Sequence, residues 1–343
     1  MIEVKRNFSL KPYNTFGVSA FAKAYISTTT QQQLREALGY CHDEPIFLLG
    51  GGSNMLLLND LDRTVIHLNL KGISVRETTD GKVLVTAQAG ENWHQFVSYC
   101  IDRNYAGLEN LSLIPGNVGT APIQNIGAYG VEIKDVFHRC EAVHIKTGKT
   151  RIFTLSDCKF GYRNSIFKGE RKNQYVITNV TFELANLNHT EHYDFKITYG
   201  AIQSELEKMK ADLNLRNVAQ AVINIRKSKL PDPAIIGNGG SFFKNPIVAR
   251  SFYEDLVRMH PTIPSYKVDE NLVKIPAGWL IEHAGLKGKR WGDAGVHDRQ
   301  ALVLVNHANA TGKQIMNVAL LVQEKVQERF GIHIEMEVNA VEG

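Results

Sequence analysis

The sequence predicts a mixed chain of strands and helices, α+β or α/β in class and long enough for two or three domains. Three observations carry that expectation. The chain has 343 residues, 43% hydrophobic and 22% charged, the balance of an ordinary globular protein with a sizeable core. Short apolar runs at residues 45–49, 64–68 and 83–89 alternate with helix-patterned stretches at 30–41 and 92–103. A polar, proline-containing stretch at 227–233 (KSKLPDP) interrupts a helical segment at 217–226 and introduces the glycine cluster Gly237 to Gly240, which places a domain boundary there.

The clearest helix comes late. Thr311 caps it, Gln314 completes a capping box, and Ile315, Val318, Val322 and Val326 form one apolar stripe before Gly331 stops it. There is no internal repeat and no low-complexity tract. A net charge of +4 with no run of five cations argues against a nucleic-acid arm and leaves small anions as partners. Cys41, Cys100, Cys140 and Cys158 contain no CxxC pair, so they read as buried thiols of a reducing compartment. His94, His283 and His297 show no ligand spacing, and no metal is expected. The N-terminus has cations but no apolar segment after them, and no stretch reaches the roughly 18 apolar residues of a membrane span. A cytosolic protein is expected.

Five motifs bear on chemistry. At 48–54 (LLGGGSN) an apolar strand runs into Gly50, Gly51 and Gly52, then Ser53 and Asn54, a pattern that suits either an anion cradle or a tight turn. It matches neither the Rossmann nor the P-loop fingerprint. Residues 113–130 (LIPGNVGTAPIQNIGAYG) are too rich in glycine and proline for a regular helix and too apolar for a solvated linker. Their backbone amides need partners, which a large polar cofactor would supply if the stretch is not simply a structural loop. At 160–165 (FGYRNS), Arg163 offers a fork of donors for a carboxylate or phosphate, although a lone loop arginine more often makes a structural ion pair. At 238–246 (NGGSFFKNP), Ser241 lacks a nucleophile elbow and reads as a turn residue or as a proton donor. Residues 333–338 alternate polar and apolar, as a strand with one wet face would.

Singly, none of these decides a function. Their order does: NTFG, GGGSN, IPG, QNIGAYG, GYRNSIFK, KLPDP, GSFFKNP, AGWLIE and a terminal IEMEV, from about Asn7 to Val338. The chain thereby resembles the UDP-N-acetylenolpyruvoylglucosamine reductases, flavoenzymes of bacterial peptidoglycan precursor synthesis. The resemblance implies an α+β chain with a vanillyl-alcohol-oxidase-type FAD-binding fold, in subdomains at 1–68 and 69–226. A separate α+β substrate-binding domain follows at 227–343, its last strand returning Glu337 to the active site. It implies that NADPH reduces FAD, and that hydride then passes from the flavin to the enolpyruvyl C3 of UDP-N-acetylglucosamine enolpyruvate while a protein acid protonates C2.

Carried over one residue at a time, the resemblance makes Ser241 the proton donor, with Arg163 and Glu337 managing charge on the substrate carboxylate. Gly50, Gly51, Gly52, Ser53 and Asn54 match the FAD pyrophosphate loop. Ile114, Pro115, Gly116, Gly119, Thr120, Ala121, Ile123, Gln124, Asn125, Gly127, Ala128 and Gly130 match the loops around the rest of the cofactor. Tyr199 resembles the tyrosine that long-form members place over the substrate. Lys229 and Asn245 match diphosphate and uridine contacts, and Gln300 is assigned to the substrate by its place in HDRQAL. Asn339 departs from the pattern, standing where an arginine is common, and Asn117, Thr120 and Ala121 vary a loop that keeps its glycines. A flavin oxidase of the same fold is the closest competitor, but such enzymes often tether flavin through His or Cys, and the pyrophosphate loop holds neither. A non-catalytic binder would be expected to lack one of the three catalytic residues, and all three are present. A monomer is expected, with no nucleic-acid or membrane partner.

Overall fold

The computed structural model describes residues 1–78, 81–190 and 192–343. The chain divides into two compact units, one made of Met1–Phe8, Ala22–Gly51 and Arg63–Ser228, the other of Ser9–Phe21, Gly52–Asp62 and Lys229–Gly343. We call them the larger and the smaller unit.

In the larger unit, the strand Ile46–Leu49 lies parallel to Leu61–Leu68 and belongs to a sheet that also holds Phe21–Thr28 and Lys5–Ser9. The helix Gln31–Tyr40, capped by Thr30 on the amide of Gln33, buries Leu34, Ala37 and Leu38 among Ile26, Ile66 and Leu68. A second, antiparallel sheet runs in the order Thr150–Thr154, Phe137–His144, Tyr175–Asn186, Lys82–Gln88, Ile73–Glu77. The amphipathic helix Trp93–Asp102 packs beside it. Its Trp93 and Phe96 rings sit 5.8 and 5.3 Å from that of Phe182, an aromatic core with each ring worth about 2 kcal/mol of buried apolar surface. The helices Ile202–Met209 and Leu215–Lys229 share a separate small core around Ile202, Val218 and Val222.

The smaller unit has an antiparallel sheet in the order Gly237–Ser241, Val303–Asn306, Ala294–Val296, Arg290–Trp291. Its helices are Arg250–Met259, Ala277–His283 and Gly312–Phe330, and Phe16, Phe242, Phe243, Ile281 and Val322 join their core. The last strand, Asn339–Val341, pairs in parallel with Met55–Leu57.

The late helix has the predicted ends: Thr311 accepts from Gln314 N, Gln314 accepts from Thr311 N, and Gly331 closes it in the left-handed conformation at φ +68°. Two expectations need correction. The helical segment read as ending at Arg226 runs on through Lys229, because the break comes from Pro231 and its effect on the residue before it, not from the polar Lys227 and Ser228. Residues 333–338 are extended and alternate in burial but form no strand. They meet Phe243 at one isolated bridge, since Pro246 removes an amide donor just beyond it, and regular pairing begins only at Asn339.

Glycines at two helices should respond in opposite directions to the same substitution. A Cβ on Gly312 would lie 1.8 Å from Leu57 O, whereas one on Gly39 meets nothing within 4 Å. Gly39→Ala should therefore raise the thermal midpoint by the helix propensity it gains, up to about 1 kcal/mol. Gly312→Ala should lower it although alanine is the better helix former. Calorimetry or circular dichroism melts of both variants against wild type measure the difference.

Candidate functional site

Two of the glycine-rich segments meet inside the larger unit. The parallel register that sets Leu49 opposite His67 delivers Gly50 and Gly51 at the strand's end. A Cβ on Gly50 would stand 2.6 Å from Thr120 Cγ2, and one on Gly51 would stand 2.8 Å from Gly116 Cα and 2.9 Å from Asn117 Oδ1. At Gly51 backbone therefore approaches backbone at a distance only glycine permits. Gly52 continues into the smaller unit with φ +63°, and its Cβ would lie 2.0 Å from Tyr13 O, so conformation and space both exclude a side chain. Among the described residues, the amides of Gly52 and Ser53 make no backbone–backbone hydrogen bond, and adjacent free amides of this kind suit an anion.

The loop from Ile114 to Gly130 partly answers its own hydrogen-bond demand. Gly116 O accepts from Trp93 N at 2.9 Å, Val118 and Gly119 donate to Glu91 O and Ala89 O at 2.9 and 3.0 Å, and Ile126 donates to Ala121 O. Thr120 closes a short turn on Asn117 O through its amide and its hydroxyl. Leu113, in the left-handed region at φ +59°, is braced from both sides. Arg226 Nε donates to its carbonyl at 3.2 Å, and its N–H donates to His94 Nδ1 at 3.0 Å. Burial first, then Arg226 and Lys227, hold His94 below the usual histidine value, so the neutral ring is the acceptor. Sequence reading missed Arg226 and His94; an arginine and a histidine inside helical patterns carry no local mark of this role.

Arg163 belongs to the same assembly. It sits in the left-handed region at φ +51° within a tight turn that Gly161 and Asn164 close by mutual backbone hydrogen bonds. Two side chains stitch that turn to the QNIGAYG segment, and a third bond joins the residues next to each. Arg163 Nη2 donates to Gly127 O at 2.7 Å, Asn125 Nδ2 donates to Gly161 O at 3.1 Å, and Ser165 Oγ donates to Ile123 O at 2.6 Å. A Cβ on Gly130 would meet Tyr199 Cβ at 3.0 Å, so the segment packs against Tyr199, a residue that remains 45% exposed. The expected cofactor residues of 114–130, together with Gly50, Gly51, Arg163 and Tyr199, thus form one neighbourhood of the larger unit.

Ser241, Glu337, Asn245, Gln300 and Lys229 fall in the smaller unit, with Gly52, Ser53 and Asn54. A Cβ on Gly237 would lie 2.2 Å from Phe16 O and one on Gly239 2.7 Å from the Phe16 ring, and Gly240 has φ +71°. Asn238 Oδ1 accepts from Gly240 N at 2.9 Å and completes the bend that presents Ser241. Phe242 follows, donating to Leu302 O and accepting from Glu337 N, both at 2.8 Å. Ser241 and Glu337 are therefore one residue and one hydrogen bond apart. Asn54 Nδ2 donates to Glu337 O at 3.5 Å, and Asn339 donates to Asn54 O through its backbone and side-chain amides at 3.2 and 2.9 Å. Asn339 thus ties the Glu337 segment to the end of the glycine loop. Asn245 Oδ1 accepts from Ala277 N at 2.9 Å, at the start of the Ala277–His283 helix, and Lys229 is the exposed last residue of its helix.

Comparison with known proteins decides the family. A model of the UDP-N-acetylenolpyruvoylglucosamine reductase C-terminal domain matches residues 232–341, and one of an FAD binding domain matches residues 22–156. A UDP-N-acetylenolpyruvoylglucosamine reductase of Flavobacterium johnsoniae is 54% identical over 99% of this chain and 100% of its own length. One from Pseudomonas syringae is 46% identical over 98% and 99%. The chain belongs to the UDP-N-acetylenolpyruvoylglucosamine reductase family. It is an oxidoreductase with an FAD-binding domain and a separate C-terminal α+β domain. The crystal structure of the Thermus caldophilus UDP-N-acetylenolpyruvylglucosamine reductase shares that fold, with a TM-score of 0.66 and 24% identity over 99% of both chains.

For a reductase of this family the glycine contacts have a measurable consequence. Gly51→Ala should lower the flavin-to-protein ratio of the purified enzyme several-fold by forcing Gly116 away from its place, while far-ultraviolet circular dichroism stays that of wild type. Flavin released by denaturation and quantified against protein tests this; unchanged flavin content would show that the loop tolerates the shift.

Proposed function

We propose that the protein catalyses NADPH-dependent, FAD-mediated reduction of UDP-N-acetylglucosamine enolpyruvate to UDP-N-acetylmuramate in peptidoglycan precursor synthesis. The observation that carries this reading is the backbone link through Phe242, which keeps Ser241 and Glu337 in fixed register. The glycine loops suit the cofactor, since they combine close backbone approach with amide donors for a pyrophosphate. Bound there, FAD would supply the hydride chemistry that couples NADPH oxidation to reduction at C3 of the enolpyruvyl group.

The protein's part is charge and a proton. Addition at C3 pushes charge onto the substrate carboxylate, where the Arg163 guanidinium offers a fixed fork of donors. Ser241 gives its hydroxyl proton to C2. A serine hydroxyl is a weak acid in water, so the alkoxide it leaves depends on neighbouring donors and cations, and Glu337 shares the handling of charge at the carboxylate. Tyr199 covers the substrate, Lys229 and Asn245 contact the diphosphate and uridine, and Gln300 contacts the sugar nucleotide. Gly50, Gly51, Gly52, Ser53 and Asn54 hold the cofactor pyrophosphate, and the loop from Ile114 to Gly130 surrounds the rest.

Ser241→Ala separates the half-reactions. Reduction of bound flavin by NADPH should persist, while turnover of the enolpyruvyl substrate falls by on the order of 10²-fold or more in stopped-flow and steady-state assays. Equal loss in both half-reactions would make Ser241 a binding residue instead.

A further inference from the structure

The turn that carries Gln300 is wound around a single imidazole. His297, only 7% exposed, follows the inner strand Ala294–Val296 where it turns back to Val303–Asn306, with Val296 opposite Leu304. Its backbone N–H donates to Val303 O at 2.9 Å, and Val303 N donates to Gln300 O at 3.0 Å. Inside the turn, His297 Nδ1 accepts the backbone N–H groups of Gln300 and Arg299 at 3.2 and 3.3 Å. Gln300 Oε1 then accepts from Leu302 N at 3.4 Å, fixing the side chain on the same turn. The same turn leads into Val303–Asn306, the strand paired with the one that ends at Ser241: Leu302 O accepts from Phe242 N at 2.8 Å, and Val303 pairs with Ser241.

We propose that His297 is a positioning residue for substrate reduction: its unprotonated Nδ1 fixes the turn that presents Gln300 and sets the register of Ser241. The inference rests on the roles of Ser241 and Gln300 in the function proposed above.

An imidazole nitrogen accepts only while it carries no proton. Here the neutral ring must bear its hydrogen on Nε2, which lies 3.3 Å from Asp298 Oδ1, a partner that favours that tautomer. Protonation would place a third N–H inside a turn already holding two, with no acceptor left for any of them. The charged and titratable groups around the ring are Asp298, Arg299 and His307. Burial first holds the ring below the usual histidine value of 6.5; Asp298 opposes this, and Arg299 and His307 add to it. The sign follows. At neutral pH the ring is uncharged and the turn intact, and acidification below 6.5 toward the lower folded value removes the acceptor.

The experiment uses full-length holoenzyme from about pH 5 to about pH 8, the range in which histidine titrates. It measures KM and kcat for UDP-N-acetylglucosamine enolpyruvate, flavin reduction by NADPH, and protection of the Arg299 and Gln300 amides from hydrogen exchange. His297→Asn keeps an acceptor at the δ position and cannot protonate; His297→Gln moves the acceptor to the ε position. In wild type, KM should rise about tenfold on the acid side while flavin reduction is unchanged, and protection of the two amides should fall over the same interval. His297→Asn should stay close to the wild-type neutral values across the range, and His297→Gln should show the raised KM and lost protection at every pH. Equal effects of the two variants, or an acid-side rise that persists in His297→Asn, would overturn the proposal. So would amide protection that does not change with pH in wild type, whatever the turnover shows. Normal flavin reduction with no turnover of the enolpyruvyl substrate at any pH would instead remove the functional reading, and the amide protection would still report on the turn.

Discussion

The smaller unit depends on one peptide. Phe242 gives its amide proton to Leu302 and takes one from Glu337, so three stretches far apart in sequence are held in register by two hydrogen bonds. Its side chain is fully buried beside Phe16, 6.1 Å away ring to ring, and beside Phe243 at 5.2 Å. A buried amide or carbonyl left unpaired costs about 1–3 kcal/mol, so this peptide cannot shift without a penalty, and the packed ring resists rotation. Ser241 and Glu337 flank a point held by packing and hydrogen bonds alone, the support that the proton-donor and charge-handling roles proposed for them require.

The larger unit applies the same principle with different parts. Where the smaller unit uses sheet hydrogen bonds, the larger one uses side-chain amides and hydroxyls on irregular backbone: Asn125, Ser165 and Arg163 itself across the turn of residues 161–164, and Arg226 and His94 around Leu113. Several of these positions, namely Leu113, Asn125, Tyr129 and Arg163, hold positive φ without being glycine. Such residues are costly in isolation and persist where surrounding contacts over-determine them. They cluster in the loops assigned to cofactor and carboxylate, where conformational precision matters more than stability.

How much of this was legible in the sequence depended on whether the signal was local. The cap of the late helix at Thr311 could be read because capping is decided within four residues. The glycine loops were legible as unusual backbone but not in purpose, because the partner that forbids a Cβ on Gly51 is Gly116, far along the chain. Ser241, Arg163 and Glu337 were ambiguous one by one and acquired meaning only through the order of the motifs around them. The error at residues 333–338 has the same root: polar–apolar alternation reports which side faces the core, but a strand also needs a partner of sufficient length. The bracing histidines, His94 and His297, left no sequence trace, since an imidazole that accepts backbone amides looks like any other histidine until the loop closes on it.

The pairing of Asn339–Val341 with Met55–Leu57 also constrains how the molecule comes into being. The smaller unit is assembled from an early hairpin of sequence, a short stretch near residue 55 and the final third of the chain, whereas the larger unit is complete by Ser228. During synthesis the larger unit can therefore close while its companion still lacks most of its core, and residues 9–21 and 52–62 must wait, partly apolar and unsatisfied, for the last strand to emerge. Long-range closure of this kind is slow and leaves a window in which exposed segments can associate wrongly. The final few residues thus act as the latch on the smaller unit, and loss of even a short C-terminal piece would be felt at Asn54 and Glu337.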